Sequence, residues 1–102
     1  LMRIIARKTL VQYWEKHPGA ESPLTNWLHI VSHATWWNAD DVKQTFNTVD
    51  RPIADKKRIA IFNIGGNKYR LIASIHFTTQ IVYIRDVLTR TEYDRGSWRK
   101  RI

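Results

Sequence analysis

The sequence contains no cysteine. That excludes disulfides, thiolate nucleophiles and cysteine-based zinc sites, and it fits a reducing compartment. Glycine (4) and proline (3) are scarce, so chain punctuation falls at few places, chiefly "HPG" at 17–19, Pro23 and Gly65-Gly66. No apolar run approaches the ~20 residues needed to span a bilayer. The N-terminus has no long apolar stretch of the kind a secretion signal carries. The expected location is the cytoplasm. Internal repeats and low-complexity linkers are also missing. Acidic residues are few: 9 Asp and Glu face 17 Lys and Arg, for a net charge of +8 and a pI near 10.2. Such an excess points to a polyanionic partner: nucleic acid, an acidic membrane surface or an acidic protein.

The 102 residues suit one domain, and 43% hydrophobic with 12% aromatic residues can bury a core. In so small a domain the five Trp and three Phe carry much of the packing. The charge is not confined to the terminus. Lys56, Lys57, Arg58, Lys68, Arg70, Arg85 and Arg90 lie in the second half; only Arg95, Arg99, Lys100 and Arg101 belong to the last eight residues.

Periodicity divides the chain. "MRIIA" reads as a short strand. "KTLVQYWEKH" follows with Leu10, Val11 and Trp14 at helical spacing, ended by "HPG". Ser22 reads as an N-cap with Pro23 at the first helical position. Leu24, Trp27, Leu28 and Val31 then share one face of a second helix. "NADDVKQTF" predicts a shorter third helix, and "NTVDRPIADKKR" a polar loop. The second half changes to period two: "IAIFN", "KYRLIASIHF" and "QIVYIRDV" are strands joined by "IGGN" and "TT". The expectation is a single α+β domain, with an N-terminal strand and two to three helices packed on one face of a mainly antiparallel sheet. It spans residues 2–94, followed by a basic tail at 95–102.

Register sets which side chains meet. A turn at Thr78-Thr79 puts Ser74 opposite Tyr83 and Ile72 opposite Arg85. Arg70, Ser74 and His76 then share a face with Tyr83 and Arg85, while Tyr69, Leu71, Ala73, Ile75, Val82 and Ile84 form the core face. A two-residue turn at Gly65-Gly66 pairs Ile64 with Asn67, and places Ile61 beside Arg70 and Asn63 beside Lys68. The result is a groove with an apolar floor and basic flanks, suited to bases and phosphates. "YIRDVLTRTEYD" reads as the last strand running to its end, with Arg85, Arg90 and Tyr93 along it.

"FNIGGNKYRLIASI", "QIVYIRDVLTRTEYD" and "RIIARKTLVQYWEKHP" together resemble the HigB-type toxins of the RelE superfamily of mRNA interferases, from bacterial toxin–antitoxin modules. The resemblance covers Met2 to about Asp94. It implies a small α+β fold and a metal-independent endoribonuclease without cofactor, cutting messenger RNA on the ribosome. It also implies neutralisation by a HigA-like antitoxin with a helix-turn-helix, through which alone the complex reaches operator DNA. Cleavage without metal uses the ribose 2′-OH as nucleophile. It requires a proton acceptor, stabilisation of charge on the phosphorane oxygens and protonation of the 5′ leaving oxygen. The resemblance assigns Arg70, Arg85, Arg90 and Tyr93 to catalysis, and Lys56, Lys57, Arg58 and Lys68 to RNA binding; Asn63 and His76, on the polar face by register, complete the RNA-binding set. Arg90 stands where many relatives carry histidine; a guanidinium binds phosphate well but accepts protons poorly.

Composition alone supports an alternative, a non-catalytic basic RNA- or DNA-binding module. His29 and His33 stand at i, i+4, as in a metal pair, but no third ligand is visible. Trp36-Trp37 reads as packing rather than a stacking platform. The tail "RGSWRKRI" fits either RNA binding or disorder.

Overall fold

The computed structural model describes residues 1–50 and 57–102. Strand β1 (Arg3–Ile5) leads into helix α1 (Arg7–Lys16). Leu10 is fully buried, and Tyr13 and Trp14 pack against the same core. The helix stops before His17-Pro18-Gly19, because proline breaks the ladder and clashes with the preceding turn. Pro18–Ala20 form one 3₁₀ turn that runs directly into α2 (Glu21–His33). This corrects the expected start. The N-cap is Ala20, without a side-chain cap, and Pro23 falls at the third helical position. The N–H missing there has no intrahelical acceptor in any case. Leu24, Trp27, Leu28 and Val31 are the buried face of α2, as the spacing predicts. Helix α3 (Ala39–Thr45) starts at Asn38, whose side chain accepts from the Asp41 N–H at 3.0 Å. That bond supplies one of the four orphan donors of the first turn.

The sheet comprises β1, β2 (Ile59–Ile64), β3 (Tyr69–His76) and β4 (Ile81–Thr89), in the order β1-β4-β3-β2. β1 runs parallel to β4; the other two pairings are antiparallel. The fold is therefore α+β with a mainly antiparallel sheet. No helix among the described residues is long and apolar enough to cross a membrane.

Two faces follow from the period of two. One carries Phe62, Ile64, Leu71, Ala73, Ile75, Val82 and Val87, and packs against the three N-terminal helices. Phe62 is the hub of an aromatic cluster. Its ring lies 5.4 Å from Trp27, 5.2 Å from Phe46 and 6.4 Å from Trp36. Trp36 is thus core, its indole N–H donating to Thr45 Oγ1 at 3.0 Å, whereas Trp37 is 64% exposed. The opposite face carries a smaller apolar cluster of Ile59, Ile61, Ile72 and Leu88, closed by Trp98.

Three expectations about local geometry are corrected. The β2–β3 connection is a four-residue loop, Gly65 to Lys68, with Ile64 opposite Tyr69, Asn63 opposite Arg70 and Ile61 opposite Ile72. Both glycines have positive φ (63° and 70°), as expected, but the chain needs two further residues to turn. The slip is even, so every side chain stays on its predicted face. In the β3–β4 hairpin Ser74 does lie opposite Tyr83, yet a bulge at Ile72/Ala73 puts Asp86, not Arg85, opposite Ile72. Arg85 is the extra residue. Finally, the sheet does not end in Arg90 and Tyr93. Arg90–Arg95 form a helix, α4. Thr89 caps it in a reciprocal capping box with Glu92, the T-x-x-E signature of a helix start, which is present in the sequence.

Gly96 ends α4 at φ 79°, and a Cβ there would lie 2.7 Å from the Arg99 guanidinium. The chain reverses at this glycine into a 3₁₀ segment, Ser97–Arg101, which lays Trp98 on the second face of the sheet. The tail is therefore part of the packed structure.

Candidate functional site

The second face of the sheet holds most of the expected site residues. Arg70 points from β3 beside Asn63 of β2. Its guanidinium donates to the Asn67 carbonyl at 3.2 Å, the Asn67 side-chain oxygen at 2.5 Å and the Tyr69 carbonyl at 3.0 Å. All three acceptors are neutral, so the group is held in place with its charge intact. Three of the five N–H donors of a guanidinium are used; the others remain for an anion. The Arg70 Cζ lies 5.5 Å from the centroid of the Tyr93 ring, within cation–π range.

Tyr93 comes from α4 and is half-buried. Its ring stacks on Trp98 at 5.2 Å with an interplanar angle of 12°, and its carbonyl accepts the Trp98 indole N–H at 3.0 Å. The tail thus supports the phenol from behind while Arg70 approaches it from the strand. Sequence reasoning left Trp98 without a role. Its signal was the one aromatic residue in a basic tail.

Arg90 opens α4 and is exposed. Its side chain makes a loose ion pair with Asp94, 3.7 Å apart one turn on, while its backbone N–H donates to the Lys68 carbonyl at 3.0 Å. Lys68, Arg70, Arg90 and Tyr93 therefore gather at one end of the sheet. Arg85 does not join them. It is exposed at the bulge, and its guanidinium reaches Ser74 Oγ at 3.4 Å. Ser74 stands four residues along β3 from Arg70, or about 13 Å at ~3.3 Å per residue. His76 is two residues further, half-buried, with its ring edge-on to Tyr83 at 5.1 Å. Ser74 is buried and donates to the Lys57 carbonyl at 3.0 Å, so Lys57 and Arg58 border this far end. Lys56 lies outside the described residues.

The cleft between α4 and the tail, lined by Leu88, Glu92, Arg95, Ser97, Trp98 and Arg101, measures about 120 Å³. That is below the 300 Å³ or more typical of small-ligand sites. Along the sheet face Lys68, Arg85 and Arg90 are exposed and Arg70 is half-buried, an arrangement suited to a polymer.

On the core side of the same sheet end, Tyr13 stacks on His17 at 4.2 Å and meets Tyr69 edge-on at 6.0 Å. Its hydroxyl is buried without a hydrogen-bond partner among the described residues. Burial, reinforced by the negative charge of Glu92, by Tyr69 and by Asp86, pushes its pKa up to about 12. Tyr13 therefore stays a neutral phenol across the physiological range. Among the described residues no cluster of three or more His, Asp or Glu could hold a metal. His33 Nδ1 lies 2.8 Å from the His29 carbonyl, and the two rings are 4.5 Å apart.

A family model described as HigB toxin, a RelE-like toxic component of a toxin–antitoxin system, matches residues 20–96. The chain belongs to this family. It is also 32% identical over 94 residues to the mRNA interferase toxin HigB of Escherichia coli K12, covering 91% of this chain and 88% of that protein. An mRNA interferase HigB of Shigella flexneri matches to the same extent. A more distant mRNA interferase HigB from Escherichia coli O6:H1 is 20% identical over 94 residues, with 92% and 90% of the two chains covered. The match to the HigB toxin family spans α2, α3, the three long strands and α4. The elements carrying Lys68, Arg70, Arg90 and Tyr93 all lie inside it.

Proposed function

We propose that this protein is the endoribonuclease toxin of a toxin–antitoxin module and cuts messenger RNA by 2′-OH attack on the adjacent phosphorus, without a metal ion. The observation that carries this reading is Arg70 fixed by three neutral acceptors and set 5.5 Å from the Tyr93 ring, in a chain of a family whose relatives are named mRNA interferases. Arg70 binds the scissile phosphate and stabilises charge as it builds on the phosphorane oxygens. A preorganised donor of this kind is worth about 3 kcal/mol in the transition state. Tyr93 contacts the reacting ribose and takes part in proton transfer. Arg90 and Lys68 hold the neighbouring phosphates; the Asp94 contact of Arg90 is loose enough for an RNA phosphate to replace it. Asn63 binds RNA beside Arg70, while Arg85, Lys57, Arg58 and His76 bind it away from the reacting atoms, which moves Arg85 from the catalytic group to the flanking one. An antitoxin of the HigA type, with a helix-turn-helix, neutralises the toxin, and only through it does the complex reach operator DNA. The working substrate is a message on a translating ribosome.

The test is to supply a defined message, naked with chelator present and under translation, and to map new RNA 5′ ends and their chemistry. The expected result is new 5′-OH ends on translated message only, paired with 2′,3′-cyclic phosphates. Strong RNA binding without scission in either setting would replace the nuclease by a non-catalytic binder.

A further inference from the structure

Tyr83 is the feature that the catalytic reading leaves unexplained. It sits in the middle of β4, bonded to β1 on one side and β3 on the other through its pairings with Ile5 and Ser74. Central strand positions are normally covered, yet Tyr83 is 36% exposed. Trp27, Trp36, Phe62 and Trp98 are buried, other aromatic side chains are half-buried, and Tyr83 and Trp37 are the exposed ones among the described residues. The edge-on contact with His76 at 5.1 Å fixes the ring without stacking on it, so a face of the phenol remains available. Around it stand cations on the same side of the sheet. Arg85 is anchored at Ser74, directly opposite Tyr83. Arg3, exposed, pairs with Ile81 and so shares the face of Tyr83. The acidic residue of this strand, Asp86, is held by Arg101 at 2.6 Å.

We infer that Tyr83, braced by His76 and flanked by Arg85 and Arg3, is a stacking subsite for one base of single-stranded RNA, separate from the cleavage centre. An aromatic face between guanidiniums is the minimal device for holding a nucleotide: the ring takes the base and the cations its phosphates. The position of Tyr83 opposite Ser74, about 13 Å along the strand from Arg70, is one that a short extended stretch of single strand would reach. The subsite would thereby fix the path of the message across the sheet and add affinity that does not depend on the reacting phosphate. Stacking of this kind is sequence-tolerant, because every base has a π face. This inference rests on the nuclease reading for its ligand.

The test measures binding of a single-stranded 2′-O-methyl RNA of about ten nucleotides, which lacks the nucleophilic hydroxyl, to wild type, Tyr83→Ala, Tyr83→Phe and Arg70→Ala. Tyr83→Ala is expected to weaken binding by roughly five- to a hundredfold. Tyr83→Phe should stay near wild type, and the salt slope of Tyr83→Ala should be unchanged because no phosphate contact is lost. An oligonucleotide with an abasic unit at the stacked position should erase the difference between Tyr83→Ala and wild type. Equal binding by Tyr83→Ala and wild type, with Arg70→Ala weakened, would overturn the subsite and leave the nuclease reading standing. Loss of antitoxin binding by Tyr83→Ala with RNA binding intact would also overturn it, and would make this face a protein contact. Failure of the wild type itself to bind this RNA would overturn the subsite, while the nuclease reading is decided separately by cleavage of translated message.

Discussion

The two faces of the sheet are built from the same strands but closed in different ways. The helix-covered face buries Trp27, Trp36 and Phe62 almost completely, with Phe62 contacting three other aromatic rings. The opposite face has four aliphatic residues closed by Trp98 and leaves Tyr83 and Arg85 of β4 in solvent. A 102-residue chain has little stability to spare. Concentrating apolar burial on one face frees the other to carry Arg70, held by neutral acceptors, beside the half-buried Tyr93 ring. The tail is the compromise between them. Trp98 closes part of the second core while its ring supports Tyr93, and its cations stay outside.

The largest effect is expected on the helix-covered face. Phe62→Ala should cost about 3–5 kcal/mol, enough to unfold much of the population, seen as a collapsed or absent transition in thermal unfolding. An intact, cooperative transition would mean that the aromatic cluster is not the main source of stability. Trp98 comes next. Trp98→Ala should lie near the low end of the same ~3–5 kcal/mol range, because its cluster is small, and should lower RNA cleavage by freeing Tyr93. Trp98→Phe keeps a stacking ring but loses the indole bond to the Tyr93 carbonyl, worth about 1 kcal/mol, and part of the buried ring volume. It should restore most of the cleavage. Cleavage lost equally in both variants would show that Trp98 acts through global stability rather than by placing Tyr93.

The smallest effect concerns Tyr13. Its folded-state pKa is raised to about 12 from 10.0, so on alkalinisation the unfolded chain gives up its proton first. Between those values the unfolded state binds fewer protons than the native one, and stability falls as pH rises. The favourable share is complete below pH 10 and disappears as pH rises through about 12. Tyr13→Phe removes both this titration and an unpaired buried hydroxyl. It should raise stability at neutral pH by up to about 1 kcal/mol and flatten its decline in alkali, followed by urea unfolding at several pH values. A steeper decline in the variant would contradict the assignment.

The division into two faces was legible in the sequence because side-chain period is insensitive to even slips of register. The glycine hairpin moved by two residues and Arg70 kept its side. Element types were legible wherever composition and caps agreed, as in the buried stripe of α2 and the Asn38 start of α3. Two features were not read from pattern. The bulge that singles out Arg85 leaves no periodic trace, since "YIRDV" alternates only loosely. The start of α4 did leave a trace, the Thr89–Glu92 capping box, but the apolar run before it carried the strand reading through to Tyr93. The consequence for the site is direct. Arg70 and Tyr93 meet because a helix folds back over the strand end, whereas Arg85, expected with them, stays at the bulge.

The central claim is that the open face carries chemistry and the closed face carries stability. The measurement that tests it most directly is Arg70→Ala, assayed in parallel for cleavage of translated message and for thermal unfolding. The account predicts a loss of cleavage of about a hundredfold with a melting temperature within about 5 °C of wild type. Undiminished cleavage by a folded Arg70→Ala protein would contradict it, as would a loss of cleavage that only tracks unfolding.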